Sequence, residues 1–420
     1  MGAMDSFVIN GPCRLDGRVT VSGAKNAVLP LMAASMLTGG VCTLDNVPDL
    51  RDTRTMMQLL EGFGVASSLE GERLVIDASR ITSFEAPYDL VRTMRASIYA
   101  FGPLVARFGK ARISMPGGCA WGPRPVDLHL KGLSALGAKL TIEHGYINAS
   151  AGKLRGAEIT LTIPSVGATV NVIMAAVLAE GRTVIENAAR EPEITELARA
   201  LTSGGARIEG EGTSRITIDG VASIAPFTHR VIPDRIEAGT FAAAAAITGG
   251  RIEIAGCDPS HLGAVLEKLE ACGARIERAG GALTVTGPAR LEPANVETGF
   301  YPSFPTDMQA QIMAALSIAR GTSTVVDRVY PDRFTHVPEL CRFGAKIARD
   351  GNVAVITGVE RLEGAPVMAT DIRASSALIL AALAAEGETT ILRVYHIDRG
   401  YERIEEKLRS IGAAIRRVRD

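Results

Sequence analysis

Residues 273–278 read GARIER, a glycine and an alanine followed by residues that alternate in polarity. The glycine ends the amphipathic stretch LGAVLEKLEACG, whose apolar residues recur at helical spacing. The run from Ala274, ARIERAGGALTVTG, reads as two short strands joined by a Gly-Gly turn. A helix that stops on glycine and opens directly into a hairpin is one supersecondary unit, and the same small motif recurs along the chain.

Its other copies are GVASSL, GAKLTI, GARIEG, GAKIAR and GAAIRR, with glycines at 64, 137, 205, 344 and 412. Together with Gly273, the successive separations are 73, 68, 68, 71 and 68 residues, so six units account for the whole chain. Upstream of each motif lies an Ala/Leu-rich helix ending in glycine, such as NVIMAAVLAEG or QIMAALSIARG, and then a β-rich run such as TVIENA or RIEIAG. The order strand, helix, strand, helix, strand, strand predicts an α/β fold built from six βαβαββ repeats.

The sixth unit is incomplete, because only AAIRRVRD remains after Gly412. The N-terminal FVINGPCRLDGRVTVSG resembles the end of a unit, as in LTVTGPARLEPANVETG at 283–299, and is expected to supply the missing return strand. This closure predicts two domains of three repeats each. One is continuous, 25–232, and the other is discontinuous, 1–24 plus 233–420, with the site in the cleft between them. A continuous solenoid would not need its first strand to finish its last unit.

Composition narrows the function. With 47% hydrophobic and 22% charged residues the chain can bury a core, which excludes disorder. A net charge of −1 with interspersed signs argues against a nucleic-acid binder. The six cysteines and six histidines show no metal-ligand spacing, so no metal is expected. No apolar leader opens the chain and no apolar run approaches ~20 residues. The expectation is a soluble, cytoplasmic protein with reduced thiols.

Polar residues recur where the units enter their helices. First helices begin at Lys25-Asn26, Arg95, Ser165, Asp234-Arg235, Asp307 and Asp371-Arg373; second helices are expected to begin near Arg51, Arg124, Arg333 and Arg399. Ser165, Asp234 and Asp371 can be ordinary N-caps. Lys25, Arg95, Arg124 and Arg399 cannot, since they carry no acceptor and oppose the helix dipole. Cations at equivalent helix entries point to a shared anionic ligand. Asp307, after Pro305, is either a partner for the helix dipole or a base.

The stretch PGGCAWGPRP at 116–125 is too rich in Gly and Pro for a helix or a central strand, so it reads as a loop. It carries Cys119 five residues before Arg124, and a cation and a helix start nearby would favour the thiolate.

Taken together, SGAKNAVLPLMAA, RTMRAS, PGGCAWGPRPVDLHLKGL, PSVGATVN, FPTDMQAQ, ATDIRAS and YHIDRGYERIEEKL resemble the UDP-N-acetylglucosamine 1-carboxyvinyltransferase family of the EPSP synthase superfamily. The resemblance runs in order from about residue 7 to the C-terminus. It implies the enolpyruvyl transferase fold, an inside-out α/β barrel in each domain. It also implies transfer of the enolpyruvyl group of phosphoenolpyruvate to the 3-hydroxyl of UDP-N-acetylglucosamine without a cofactor.

Position by position, the resemblance places phosphoenolpyruvate on Lys25, Asn26, Arg124, Arg373 and Arg399, with Asp371 in support. Cys119 would be the general acid, open to alkylation by fosfomycin, and Asp307 the base. The nucleotide sugar would lie on Arg95, Arg124, Pro125, Val126, Asp127, Leu128, Ser165, Val166, Gly167, Asp307 and Val329. The chain departs from the family pattern at Trp121, where many members have an aliphatic residue, and at Pro331-Asp332, where a Glu-Asn pair is frequent. Transfer to shikimate 3-phosphate or to another uridine nucleotide is the alternative on this fold. A non-catalytic six-repeat ring around nucleic acid is the alternative from another class.

Overall fold

The computed structural model describes residues 5–92, 94–115 and 126–419. They form two compact units: the described residues up to Ser22 together with Pro233 onward, and Gly23–Ile232. Each has its own hydrophobic core and three βαβαββ repeats.

Every repeat turns on its periodic glycine. Gly64, Gly137, Gly205, Gly273, Gly344 and Gly412 have φ between +88° and +101°, a region that costs a residue with a side chain roughly 1–2 kcal/mol. Each glycine N–H reaches the carbonyl three residues back, and the next N–H reaches the one five back. Gly273 to Glu270 at 2.9 Å and Ala274 to Leu269 at 3.0 Å are one instance. This Schellman closure satisfies carbonyls that the helix end leaves open and aims the chain into the next strand. The residue after the glycine is buried in all six copies, which is why alanine or valine stands there.

The described strands form six four-stranded sheets. In the second repeat Glu85–Ala86 runs parallel to Lys110–Ser114, which pairs antiparallel with Tyr146–Ser150, itself joined to Lys139–Glu143. In the sixth repeat the strand Ser6–Gly11 lies between Gly387–Leu392 and Ile415–Val418, antiparallel to both, with Phe7 opposite Ile391 and Arg417. Asp16–Thr20 then runs parallel to Arg251–Ala255 in the fourth repeat, while Thr228–Arg230 runs parallel to Val41–Asp45 in the first.

Gly11 explains how an N-terminal segment can act as a return strand. A Cβ at Gly11 would stand 2.4 Å from the Ala385 carbonyl oxygen. At Gly220, Gly287 and Gly358, which come just after the return strands of three other repeats, it would stand 1.6, 2.2 and 1.8 Å from the carbonyls of Ala179, Ala245 and Ala319. These strands can end against a helix C-terminus only where no side chain intervenes. Gly220→Ala is therefore expected to lose about 2–3 kcal/mol of stability through overpacking. The measurement is the urea midpoint, and an unchanged midpoint would show that the strand end can move aside.

In the unit that contains Pro233 onward, the first helices Arg235–Thr248, Gln309–Leu316 and Ile372–Ala384 pack against one another. Ala242 to Ala246 are at most 1% exposed, as a helix apolar on all sides requires. The counterparts in Gly23–Ile232 are Lys25–Ala34, Phe101–Phe108 and Val166–Ala176. The run SIYAFGPLVARFG, which reads in sequence as one helix, is a 3-10 segment Arg95–Ala100 followed by the helix Phe101–Phe108. Among the described residues no helix is long and apolar enough to cross a membrane.

Candidate active site

Asp307 sits in the 3-10 turn Thr306–Met308, entered through Pro305. Its two carboxylate oxygens are held by different arginines: Arg333 Nη1 at 2.7 Å from Oδ1 and Arg373 Nη2 at 2.8 Å from Oδ2. The arginine side chains are 8% and 6% exposed and the aspartate 26%, so two buried cations converge on a carboxylate that still reaches solvent. Burial by itself would lower the Arg373 pKa; Asp307, with Tyr401 and Asp234, outweighs it and holds the guanidinium above its ordinary value. Tyr401 also receives a hydrogen bond from Arg373 Nη1 at 3.4 Å, and its hydroxyl meets Thr240 Oγ1 at 2.8 Å.

Asp371 is the N-cap of helix Ile372–Ala384, its Oδ1 accepting from the N–H groups of Arg373 and Ala374 at 2.8 and 3.1 Å. Oδ2 accepts from Thr335 Oγ1 at 3.1 Å. The cap fixes the first turn of the helix and so the position from which Arg373 projects. Val329 is placed by Asp327, whose Oδ1 accepts from the N–H groups of Val329 and Tyr330 at 2.9 and 2.8 Å. Asp327 is fully buried, and its Oδ2 accepts from Thr306 Oγ1 at 2.7 Å, which ties Val329 to the Asp307 turn.

Arg399 does not begin a helix. It closes the 3-10 segment Val394–Arg399, and the next helix starts at Ile404. A cation in a last turn complements the helix dipole, so at this position the sequence argument from an opposed dipole fails. At Pro331-Asp332 both residues bond to Arg349, through the Pro331 carbonyl at 3.4 Å and Asp332 Oδ1 at 3.2 Å.

In Gly23–Ile232, Lys25 and Asn26 open helix Lys25–Ala34, which has no side-chain cap. Lys25 Nζ lies 3.6 Å from Asp52 Oδ2 in the first turn of helix Arg51–Gly62, and the two side chains are 12% and 5% exposed. Arg95 opens the 3-10 segment of the second repeat. Val126 and Asp127 start helix Asp127–Ala135, with Asp127 exposed and Leu128 buried. Ser165 caps helix Val166–Ala176, its Oγ accepting from Ala168 N–H at 3.3 Å. Val166 and Gly167 are thus the first helical residues, whose N–H groups have no intrahelical acceptor. His129 lies against this turn, 8% exposed, with Nδ1 2.8 Å from Asn171 Nδ2. Burial, then the charge of Arg95, lower its pKa to about 4 against a smaller opposing effect of Asp127.

Cys119, Arg124, Pro125 and Trp121 lie outside the described residues. Of the other cysteines, Cys257 and Cys272 have pKa values pushed up to about 11, chiefly by burial, and Cys42 is raised for the same reason. These are inert thiols. Cys341 is exposed.

The arrangement therefore gathers Asp307, Arg333, Arg373 and Asp371 in one unit, and Lys25 with Asp52 and the Ser165 turn with His129 in the other. Asp52, Asp327 and Asn171 escape a reading of the sequence. Asn171 has a signal there, a lone amide heading the apolar run NVIMAAVLA. The aspartates have none beyond their type, because their roles depend on partners brought together by folding.

Residues 9–408 match the family model described as EPSP synthase (3-phosphoshikimate 1-carboxyvinyltransferase). Proteins named UDP-N-acetylglucosamine 1-carboxyvinyltransferase from Desulfosudis oleivorans and Dichelobacter nodosus are 53% and 52% identical, covering 99% of this chain and 100% of each relative. Among solved structures, the enolpyruvyl transferase NikO from Streptomyces tendae superposes with a TM-score of 0.90 at 26% identity, covering 100% of both chains. EPSP synthase from Acinetobacter baumannii superposes with a TM-score of 0.74 at 19% identity, over 99% of this chain and 100% of that one, a likeness of fold. The motifs, the six repeats and this full-length similarity agree: the chain belongs to the UDP-N-acetylglucosamine 1-carboxyvinyltransferases, within the EPSP synthase family.

Proposed function

We propose that this protein transfers the enolpyruvyl group of phosphoenolpyruvate to the 3-hydroxyl of UDP-N-acetylglucosamine, releasing phosphate, as the first committed step of peptidoglycan synthesis in the cytoplasm. The observation that carries the reading is identity of 52–53% over the full chain to relatives bearing that name. The motifs SGAKN, PGGC and FPTD, which carry Lys25, Cys119 and Asp307, support the same reading.

In the addition, the sugar oxygen bonds to C2 of phosphoenolpyruvate while C3 takes a proton. In the elimination, a proton leaves C3 and the C2–O bond to phosphate breaks, restoring the double bond. Cys119 donates the proton to C3 and Asp307 takes the one from the sugar hydroxyl. Lys25, Asn26, Arg124, Arg373 and Arg399 hold the carboxylate and phosphate, so the developing cation at C2 forms among fixed charges. The nucleotide sugar is held by Arg95, residues 124–128, the Ser165–Gly167 turn and Val329. Arg373 already binds the Asp307 carboxylate at 2.8 Å. An anionic substrate competing for Arg373 loosens that grip and leaves Asp307 freer to accept a proton, so base and substrate are coupled. The partners are small molecules, and neither nucleic acid, membrane nor cofactor takes part.

Incubation with both substrates is expected to release inorganic phosphate, with none when either is omitted or when shikimate 3-phosphate replaces the nucleotide sugar. A folded sample that releases no phosphate above background with the proposed pair would overturn the reading.

A further inference from the structure

Arg417, in the strand Ile415–Val418, binds three carboxylates. Its Nη2 and Nη1 donate to Asp398 Oδ1 and Oδ2 at 2.5 and 3.0 Å, and its Nε donates to Glu405 Oε1 at 2.6 Å. Nη1 also reaches Asp5 Oδ2 at 3.2 Å. The side chain is 17% exposed and lies over the Phe7 ring, its guanidinium carbon 4.9 Å from the ring centre. Burial would lower its pKa, but Asp398 and Glu405 outweigh that and hold it above its ordinary value. The forked pair with Asp398 fixes direction as well as distance.

Two of these partners belong to the stretch that carries Arg399. Asp398 is its neighbour in the 3-10 segment Val394–Arg399, and Glu405 lies in the first turn of helix Ile404–Ser410. Local backbone preference does not hold this stretch. Arg393, which enters it, and Arg403, which leads into the helix, have φ of 60° and 45°, left-handed values that disfavour a residue with a side chain. After the corresponding strands of the first and third repeats the left-handed residues are Asn46 and Asn187, whose amides also bond the Val231 and Leu161 carbonyls. Asparagine tolerates that backbone better than arginine does. A stretch so entered keeps its place only where tertiary contacts determine it.

Those contacts lie on both sides of Arg399. Before it, Asp398 is gripped by Arg417. After it, Gly400 approaches helix Ile372–Ala384 so closely that a Cβ would stand 2.8 Å from Ile372 Cγ2. The hydroxyl of Tyr401 then meets Arg373 and Thr240.

We infer that Arg417 is a positioning residue for phosphoenolpyruvate: through its forked pair with Asp398 it fixes the backbone from which Arg399 meets the substrate anion. The inference rests on the reading of Arg399 as a phosphoenolpyruvate ligand. A role confined to fastening the last strand would give the opposite sign in one variant. Asp398→Asn removes a negative charge beside Arg399, which by charge alone would tighten anion binding. Loss of the grip on Arg399 weakens it instead.

The test uses the full chain and KM for each substrate. Asp398→Asn is expected to raise KM for phosphoenolpyruvate about tenfold, with KM for the nucleotide sugar changed less than about twofold. Glu405→Gln weakens another partner of Arg417 but spares the Asp398 pair, so KM for phosphoenolpyruvate is expected to stay within about twofold of native. Arg417→Lys keeps the charge and loses the fork, and a rise of about threefold is expected. A crystal structure of the Asp398→Asn protein is expected to show the Arg399 guanidinium displaced by about 1 Å or more, with Arg373 in place.

A native or lowered KM for phosphoenolpyruvate in Asp398→Asn, an equal rise in Glu405→Gln, or an undisplaced Arg399 would each overturn the inference. Should Asp398→Asn fail to fold, Arg417→Lys decides, and a native KM there would overturn it. If the native protein releases no phosphate with the proposed pair, the reaction falls, and the position of Arg399 in the crystal alone decides whether Arg417 fixes it.

Discussion

Asp307→Ala is expected to lower turnover at least about a hundredfold, the usual effect of removing a positioned base. It is also expected to destabilise the protein by about 3–5 kcal/mol, because a buried charge left without its partner costs that much. The second effect comes from Arg333 and Arg373, whose side chains are 8% and 6% exposed and both bond the Asp307 carboxylate. Alanine would leave two cations facing each other. The measurements are kcat at saturating substrates and a urea unfolding curve. Turnover above a tenth of native would remove Asp307 from the role of base. Unchanged unfolding free energy would show that water replaces the carboxylate readily. Asp307→Ala combined with Arg373→Met removes one of the stranded charges and is expected to recover part of the stability but none of the activity.

Lys407→Met should be as damaging to stability, and in a pH-dependent way. Lys407 Nζ lies 2.7 Å from Glu237 Oε1, and Glu237 is 2% exposed. The other carboxylate oxygen accepts from Ser22 N–H at 2.7 Å, and Lys407 also donates to Ser22 Oγ at 2.7 Å. Burial raises the Glu237 pKa, and Lys407 is the main influence opposing it. Without the lysine the folded-state pKa rises further above its unfolded value. For a raised acid the penalty is absent while the group is protonated in both states and grows as pH climbs through the folded value. The variant is therefore expected to lose about 3–5 kcal/mol at pH 8 and clearly less at pH 5. Urea curves at the two pH values check this. A loss equal at both would assign the damage to packing of the lysine stem, and adding Glu237→Gln should then recover nothing.

How far the sequence carries can be seen in particular residues. The six glycines are legible because a helix that must end and turn into a hairpin within two residues needs a left-handed position, and that need repeats in every unit. The N-terminal strand is legible through ING-Pro, since Gly11 meets the same helix-end carbonyl problem as Gly287. The order of elements comes from local rules of this kind. The site does not. Arg333 and Arg373 reach Asp307 from 26 and 66 residues away, and nothing local marks the three as partners. Arg399 misleads because a 3-10 segment ending there looks, in one dimension, like the beginning of the next helix. Nothing local pairs His129 with Asn171, which stands 42 residues further on and meets its Nδ1 at 2.8 Å.

The strand Ser6–Gly11 leaves the ribosome long before Ile415–Val418, which it must pair with. At roughly 5–20 residues per second, the interval of about 400 residues lasts about 20–80 seconds. Meanwhile Gly23–Ile232 already possesses every strand its sheets require, down to Thr228–Arg230 beside Val41–Asp45. Co-translational order thus favours completion of that unit first, while an apolar segment carrying Phe7 and Ile9 waits with both edges unpaired. A nascent chain between these two events presents Ser6–Gly11 with the hydrogen-bonding groups of both edges open, so the last sheet of the chain is also the last that can close.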